Sequence, residues 1–446
     1  MQNKSIAIIG SGIAGISASI QLLKKNIPHT IFERRDFCGG RFYSFYDKNF
    51  EMELDNGQHF FVLSYKNFLE ILNFLQTRKF VFFPKEEKIF FYRKDKEKAY
   101  FILSQKKRFF SLLFSSSFNF IEKLRYYQYY NLNKFFIELA IKSSDSFPKD
   151  IDAKEFLLSK KVPIPTIREF WEPLGVSIFN NSLEKIPANL FANVVKILFI
   201  SGAGTNVIGY SCVQQSKILE NYVKIIEETN SKIFFSHQIT SISKTNGKFR
   251  VIANNEVEYF FDNIILCVQP NVLNKILPED WLKDDYFKFL KHINFNPIVS
   301  IYIKTNKNII EEDFGFLLNS PFHWIFNKSN MHELPTPPYF YSFTTSNATQ
   351  LVSLSTKDIL NLLQFEILEF FDKEINILKY KVIKDKFATI DINVKFNKYR
   401  PTQETPIEGL YIAGDWTQTM LPATLESAAL SGKLAVQKML EKMDIL

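Results

Sequence analysis

The residues best able to do chemistry stand close to the start of the chain. Gly10-Ser-Gly12-Ile-Ala14-Gly15 follows the apolar run 5–9 at once, and Glu33 stands 18 residues beyond Gly15. Glycines so spaced suit a dinucleotide: Gly10 permits a sharp turn, Gly12 lets a pyrophosphate approach bare backbone, and Gly15 lets a helix lie close to a sheet. Free N–H groups at the helix start then face the phosphates, with Ala14 in the same turn. Glu33 can accept hydrogen bonds from both ribose hydroxyls and disfavours a 2′-phosphate, so FAD or NAD fits better than NADP. Arg34 follows the acid, and Cys38-Gly39-Gly40-Arg41 adds a second glycine pair with a guanidinium able to offer forked donors to a diphosphate.

Such residues need a strand, a turn, a helix and a second strand in that order. Ile13, Ile16, Ile20 and Leu23 recur at helical spacing, residues 26–28 break the helix, and residues 29–32 read as a strand ending on Glu33. That context makes the glycine pattern specific. At the other end of the chain, residues 409–413 read as a strand with Gly414-Asp415-Trp416 as its turn. Pro422 and Ala423 then open a long helix whose Leu425, Ala428, Ala429, Gly432, Leu434 and Ala435 form a small-residue face. A further pair, Gly202-Ala-Gly204, follows the apolar run 194–200, but Val207 replaces the third glycine and no acid closes a following strand. It reads as a plain turn, so one dinucleotide site is expected.

A chain of 446 residues should fold as two or three lobes, and 46% hydrophobic with 23% charged residues excludes a disordered or fibrous protein. The net charge of +8 comes without a basic run or a nucleic-acid-binding module, so no nucleic-acid partner is expected. Three distant cysteines, Cys38, Cys212 and Cys267, suggest neither a disulfide framework nor a metal site. With no spanning apolar run and no signal-peptide pattern, the expected location is cytoplasmic, with peripheral contact at the inner face of the membrane. The 47 phenylalanines are spread widely, as A+T-rich codons would supply them. They concentrate in segment 106–136, beside Lys106-Lys107-Arg108, Arg125 and four tyrosines. This segment is expected to face a membrane, with a solvated helical lid as the alternative.

Gly10 to Gly15, Glu33 and Gly39-Gly40-Arg41 together resemble the glutathione-reductase-type FAD fold in its amine oxidase and phytoene desaturase branch. Further stretches narrow the resemblance. These are Leu54-Asp55-Asn-Gly57-Gln58-His59, Phe170-Trp-Glu-Pro-Leu-Gly175 with Ile186-Pro-Ala-Asn-Leu-Phe191, and Ala413-Gly-Asp-Trp-Thr417 running through Leu421-Pro-Ala-Thr-Leu-Glu426-Ser to Leu430-Ser-Gly432. The set resembles the hydroxysqualene dehydroxylase family, also called squalene-associated FAD-dependent desaturases. Met420 departs from it where glycine is expected, and Leu430 where arginine is frequent.

The resemblance implies an α/β fold: an FAD-binding Rossmann domain from residues 1–75, 195–275 and 395–446, with an inserted α+β substrate domain from 76–194 and 276–394. Residues 76–194 look mainly helical, whereas 297–304, 314–318, 322–327 and 339–344 look like strands and 357–371 like a helix. Residues 232–243 read as another strand, with Ile239 where the family's backbone meets adenine. Asp415 is expected on the FAD ribitol or pyrophosphate, and Gly57 and Gln58 beside the flavin. The implied reaction is reductive dehydroxylation of hydroxysqualene, an isoprenoid lipid, to squalene for hopanoid or sterol supply, with an unspecified electron donor. His59 is the candidate general acid, oriented by Asp55, with a structural histidine as the alternative; Glu426 reads as a helix–strand hydrogen-bonding residue. A carotenoid desaturase, and a non-catalytic lipid-binding protein on the same fold, are the competing readings.

Overall fold

The computed structural model describes residues 4–95, 98–104, 134–135, 137–143, 146–200, 207–254 and 256–443. The turn at Gly202-Ala-Gly204 and all of segment 106–136 but Lys134 and Phe135 lie outside the described residues.

Every residue of Ile6–Ile9 is buried, because this strand lies in the middle of a parallel sheet covered on both faces. The sheet runs Lys232–Phe234, Thr30–Phe32, Ile6–Ile9, Asn263–Leu266 and Leu410–Ile412, all pairs parallel. Side chains alternate across it. Ile6 and Ile8 pack with Ile16, Ile20 and Val436 of two helices, Ile13–Leu23 and Leu425–Lys442. Ala7 and Ile9 turn to Ile242, Phe249 and Val251 of an antiparallel sheet made of Ile239–Thr245, Lys248–Ala253 and Val257–Phe261. Strand order reverses between Ile6–Ile9 and Asn263–Leu266, and a sheet of this kind leaves its ligand crevice beyond the strand ends at such a switch.

The first and last helices approach almost backbone to backbone. A Cβ on Gly432 would stand 2.1 Å from the Ala14 carbonyl oxygen and 2.9 Å from Ala18 N, and Ser17 Oγ donates to the Ala429 carbonyl at 2.6 Å. The small-residue face read from the sequence is thus a contact surface.

A second, seven-stranded sheet runs Ile377–Ile390, Phe295–Thr305, Tyr339–Ser346, Trp324–Asn327, Phe314–Leu317, Glu86–Tyr92 and Lys98–Ser104. It is antiparallel apart from the pairing of Phe314–Leu317 with Glu86–Tyr92. On one face Val299, Ile301 and Ile303 pack against Ile359, Leu363 and Ile367 of the helix Thr356–Phe371. Ile298 and Ser300 turn the other way and line a large cavity.

Three local expectations change. The described part of 76–194 is not helical throughout: Glu86–Tyr92 and Lys98–Ser104 form an antiparallel pair, whereas Ala153–Ser159, Glu172–Phe179 and Ala188–Phe199 are helices. Ile89 and Phe91 face the cavity while Phe90 and Tyr92 face the opposite core, and a strand covered on both sides hides its period of two. Residues 232–243 divide between two sheets, with Ser236 at φ 55° in the break. The terminal helix starts at Leu425, where the Thr424 hydroxyl accepts from Ser427 N, so Pro422 and Ala423 remain in the preceding loop.

The helix contact gives a stability test. Gly432→Val should destabilise the protein by about 1–3 kcal/mol, because overpacking against backbone outweighs the better helix propensity of the new residue. A lowered denaturant midpoint checks this, with Gln437→Ala, exposed on the same helix, as a control that should leave it nearly unchanged.

Candidate active site

The cavity has a volume of about 1030 Å³ and begins where the five parallel strands end. Gly10, Gly12, Ala14, Glu33, Arg34, Gly40, Arg41, Gly57, Gln58, His59, Ile239, Gly414, Asp415 and Ala423 all line it. Gly15 and Asp55 stand behind its wall. A Cβ on Gly15 would lie 1.9 Å from the Gly10 carbonyl oxygen, so Gly15 closes the turn itself. Above Gly12 the nearest atom to an added Cβ is Gly40 Cα at 3.9 Å, and Gly39 N donates to the Ser11 carbonyl at 2.9 Å. Two glycine turns therefore share one bare backbone floor at a helix N-terminus, which fits the diphosphate of FAD.

The charged residues of this cleft are held by the protein. Glu33 Oε2 accepts from both N and Oγ of Ser11 at 2.8 Å, and Oε1 accepts from Arg35 N at 3.0 Å. Ser11 and Arg35 thus engage both carboxylate oxygens and fix the side chain at the edge of the cleft. Arg35, which sequence reading passed over for Arg34, donates to the Gly40 carbonyl at 2.9 Å and lies over the Phe37 and Tyr43 rings. Arg41 donates to Asp415 Oδ2 at 2.7 Å and to the Ala388 carbonyl at 2.6 Å. The Arg41–Asp415 pair brings together the two motifs from opposite ends of the chain.

Arg400 had no motif to announce it. This buried guanidinium donates to the carbonyls of Asp415 at 2.8 Å, Leu421 at 2.8 Å and Trp416 at 3.3 Å, bracing the turn before the terminal helix. Burial pushes its pKa down to about 9, against the pull of Asp415. Met420 in that turn has φ 58°, the left-handed region where glycine is favoured, which accounts for glycine being expected there. Glu426 is a helix-to-helix link and not a helix-to-strand one: its carboxylate accepts from Asn67 N, Asn67 Nδ2 and Phe68 N at the start of the helix Lys66–Phe74.

The loop of Gly57, Gln58 and His59 is set from below. Asp55 accepts from Ser44 Oγ at 2.8 Å and Gln215 N at 2.9 Å, and its other oxygen lies 3.7 Å from Lys328 Nζ. Lys328, 2% exposed, donates to Gln58 Oε1 at 2.9 Å, and Gln215 donates to the Gly57 carbonyl. Asp55 therefore orients Lys328 and the loop, and His59 is not among its partners. The His59 ring lies by Phe42, and burial, with Arg41 adding to it, pushes its pKa down to about 4. Burial thus disfavours the protonated imidazolium at this position.

Beyond this loop the cavity becomes apolar. Phe60, Ile89, Phe91, Phe170, Trp324 and Phe326 line it, and the Phe60 ring meets those of Trp324 and Phe326 at 5.1 Å each. A polar cleft thus opens directly into an apolar arm walled by the second sheet and the helices near it.

The sequence pattern of flavin containing amine oxidoreductases matches residues 13–440. Hydroxysqualene dehydroxylase of Sinorhizobium fredii is 21% identical over 449 residues, covering 97% of this chain and 97% of that protein. The chloroplastic/chromoplastic 15-cis-phytoene desaturase of an Oncidium hybrid cultivar is 24% identical over 480 residues, covering 99% of this chain and 78% of its own. Among solved structures, an oxidoreductase from Methanosarcina mazei superposes with a TM-score of 0.74 at 17% identity, covering 98% of this chain and 100% of that one.

Two outcomes are expected. The unfolded chain binds a proton at His59 near pH 6.5 and the folded chain only near pH 4, so the His59 contribution to stability is present above pH 6.5 and is lost as pH falls toward 4. Urea midpoints measured across this window should therefore fall less steeply in His59→Asn, by up to about 1.4 kcal/mol per pH unit. Met420→Gly should raise thermal stability by about 1 kcal/mol through relief of the left-handed backbone, as read by the apparent melting temperature.

Proposed function

The chain belongs to the flavin containing amine oxidoreductase family and is an FAD-dependent oxidoreductase, and on that premise we propose that it removes the hydroxyl of a long isoprenoid alcohol, hydroxysqualene, to give squalene. The observation that carries this reading is the apolar arm that continues from the cofactor cleft. It supplies aromatic and aliphatic walls for a hydrocarbon chain at the point where a bound flavin would be reached. A relative of matching length on both sides, named hydroxysqualene dehydroxylase, supports it.

Bound FAD supplies two-electron hydride chemistry. In the substrate the allylic C–O bond breaks as a C–H bond forms, the hydroxyl leaves as water after taking up one proton, and an external reductant provides two electrons per turnover. Phe60, Phe91 and Trp324 hold the chain and exclude the water that would capture an allylic cation. The Arg41–Asp415 pair presents a nearly neutral unit to that cation. The N-terminus of the helix Leu425–Lys442, near which Pro422, Ala423 and Thr424 line the cavity, directs its positive end toward the cleft, where negative charge is stabilised.

Desaturation of a polyene precursor is the second reading, favoured by the desaturase relative that spans nearly all of this chain. Anaerobic mixing separates the two. Hydroxysqualene should reoxidise the photoreduced holoenzyme and yield squalene, whereas phytoene should leave the oxidised spectrum unchanged. Bleaching of the oxidised enzyme by phytoene, with no reoxidation by hydroxysqualene, would reverse the assignment.

A further inference from the structure

We propose that Trp324 and Ser177 form a post across the apolar arm, so that the site takes flexible, open-chain isoprenoids and rejects rigid fused-ring ones of the same size. The inference rests on the isoprenoid reading above and deepens it.

The arm is a slit between two walls. One wall is the seven-stranded sheet, where the directly opposed residues Ser300, Thr344, Trp324, Phe316 and Phe91 form one row along the cavity. Ser300 Oγ stands 3.4 Å from the position of a Cβ added to Gly57, so this end of the row is the cofactor end. Trp324 lies two strands further on, roughly 10 Å at the usual spacing between strands. The other wall is the helix Glu172–Phe179 with the π-helical turn Ile167–Trp171 before it, from which Phe170, Leu174, Ser177 and Ile178 line the cavity.

Hydrogen bonds hold this segment across the strands at both ends. Beyond its C-terminal end Asn180 Nδ2 donates to the Asn296 carbonyl at 3.1 Å and to Thr389 Oγ1 at 2.8 Å, on the first two strands of the sheet. At its N-terminal end Glu169 Oε2 accepts at 3.0 Å from Arg93, the residue that follows the strand Glu86–Tyr92. Between these ends the walls meet again, where Trp324 Nε1 donates to Ser177 Oγ at 2.9 Å. Ser177 donates its own proton to the Pro173 carbonyl at 2.6 Å, so the hydroxyl is held as an acceptor for the indole. The Trp324 ring is fixed further by Phe60 at 5.1 Å and Phe316 at 5.2 Å. Both partners of the Trp324–Ser177 bond line the cavity although they come from opposite walls, so the bond stands in the slit and not in the core behind it.

A post in a slit sorts ligands by flexibility. An open isoprenoid chain rotates about its single bonds and can pass beside the indole, gaining apolar contact on the way. A fused-ring skeleton cannot bend round the post. To occupy the same length it must break the Trp324–Ser177 bond and displace a ring that is held by its neighbours, and forcing a packed wall apart is unfavourable.

Squalene and hopene are isomers, one open-chain and one pentacyclic, so they are the probes. Oxidised, FAD-loaded enzyme is equilibrated with each over a concentration series, without reductant, and binding is read as the hydrocarbon retained per flavin after gel filtration. The wild type should bind squalene at least about tenfold more tightly than hopene, the scale on which overpacking acts. Trp324→Leu, which removes the post, should bring the two within about threefold by strengthening hopene. Ser177→Ala, which keeps the indole and frees it, should move the ratio in the same direction. Retention of the flavin spectrum by each variant reports that the site is folded. A preference that survives in both variants overturns the post, as does equal or reversed binding by the wild type, or a ratio that closes only because squalene is lost; in each case the isoprenoid reading stands. Failure of the wild type to bind either isomer overturns both.

Discussion

The contact on which the rest of the structure depends is the one between the first and the last helix. Ala14 and Gly432 meet with no side chain between them, and Ser17 reaches across to the Ala429 carbonyl. Residues more than four hundred positions apart are thereby held at backbone distance, which leaves the Gly414–Ala423 turn little choice of position. It projects over the same strand ends as the Gly10–Gly15 turn, and Arg41 can then reach Asp415 at 2.7 Å.

Electrostatics in this cleft are largely settled within the protein. Glu33 is tied to Ser11, Arg41 to Asp415, Lys328 to Gln58 and Asp55, and Arg400 to three carbonyls of the last turn. Each pairing reduces the reorganisation needed when a ligand arrives, since the groups already point where their partners hold them. The buried lysine and arginine also hold loops that are otherwise plain backbone: Lys328 sets the Gln58 side chain, and Arg400 braces the turn in which Met420 takes a left-handed conformation. The apolar arm beyond needs no such network, because its walls are aromatic rings in edge and tilted contact.

The abundance of phenylalanine looks different against the structure. Phe61 and Phe68 stack in the core beside the first helix, Phe42 touches both that core and the cavity, and Phe60, Phe91, Phe170 and Phe326 line the cavity. Adjacent residues such as Phe60 and Phe61 serve different roles because successive side chains of an extended segment leave on opposite sides. Composition therefore carried a real property of the cavity, but the one-dimensional count could not separate core from wall.

What the sequence by itself determined is local. The strand, glycine turn, helix and acid from Ile6 to Glu33 could be read directly, because turn geometry and helical periodicity act over a few residues and leave their spacing in the chain. The helix Thr356–Phe371 and the strands Phe295–Thr305 and Tyr339–Ser346 were legible for the same reason. Tertiary structure alone decided that Glu86–Tyr92 is a strand packed on both faces over residues 89–92, that Asp55 serves Lys328 instead of His59, and that Glu426 links two helices. It also decided that Ser300 and Thr344 stand side by side with Trp324. These depend on the register and burial of segments far apart in the chain, and a residue's own neighbours in sequence hold no record of which distant strand will lie against it.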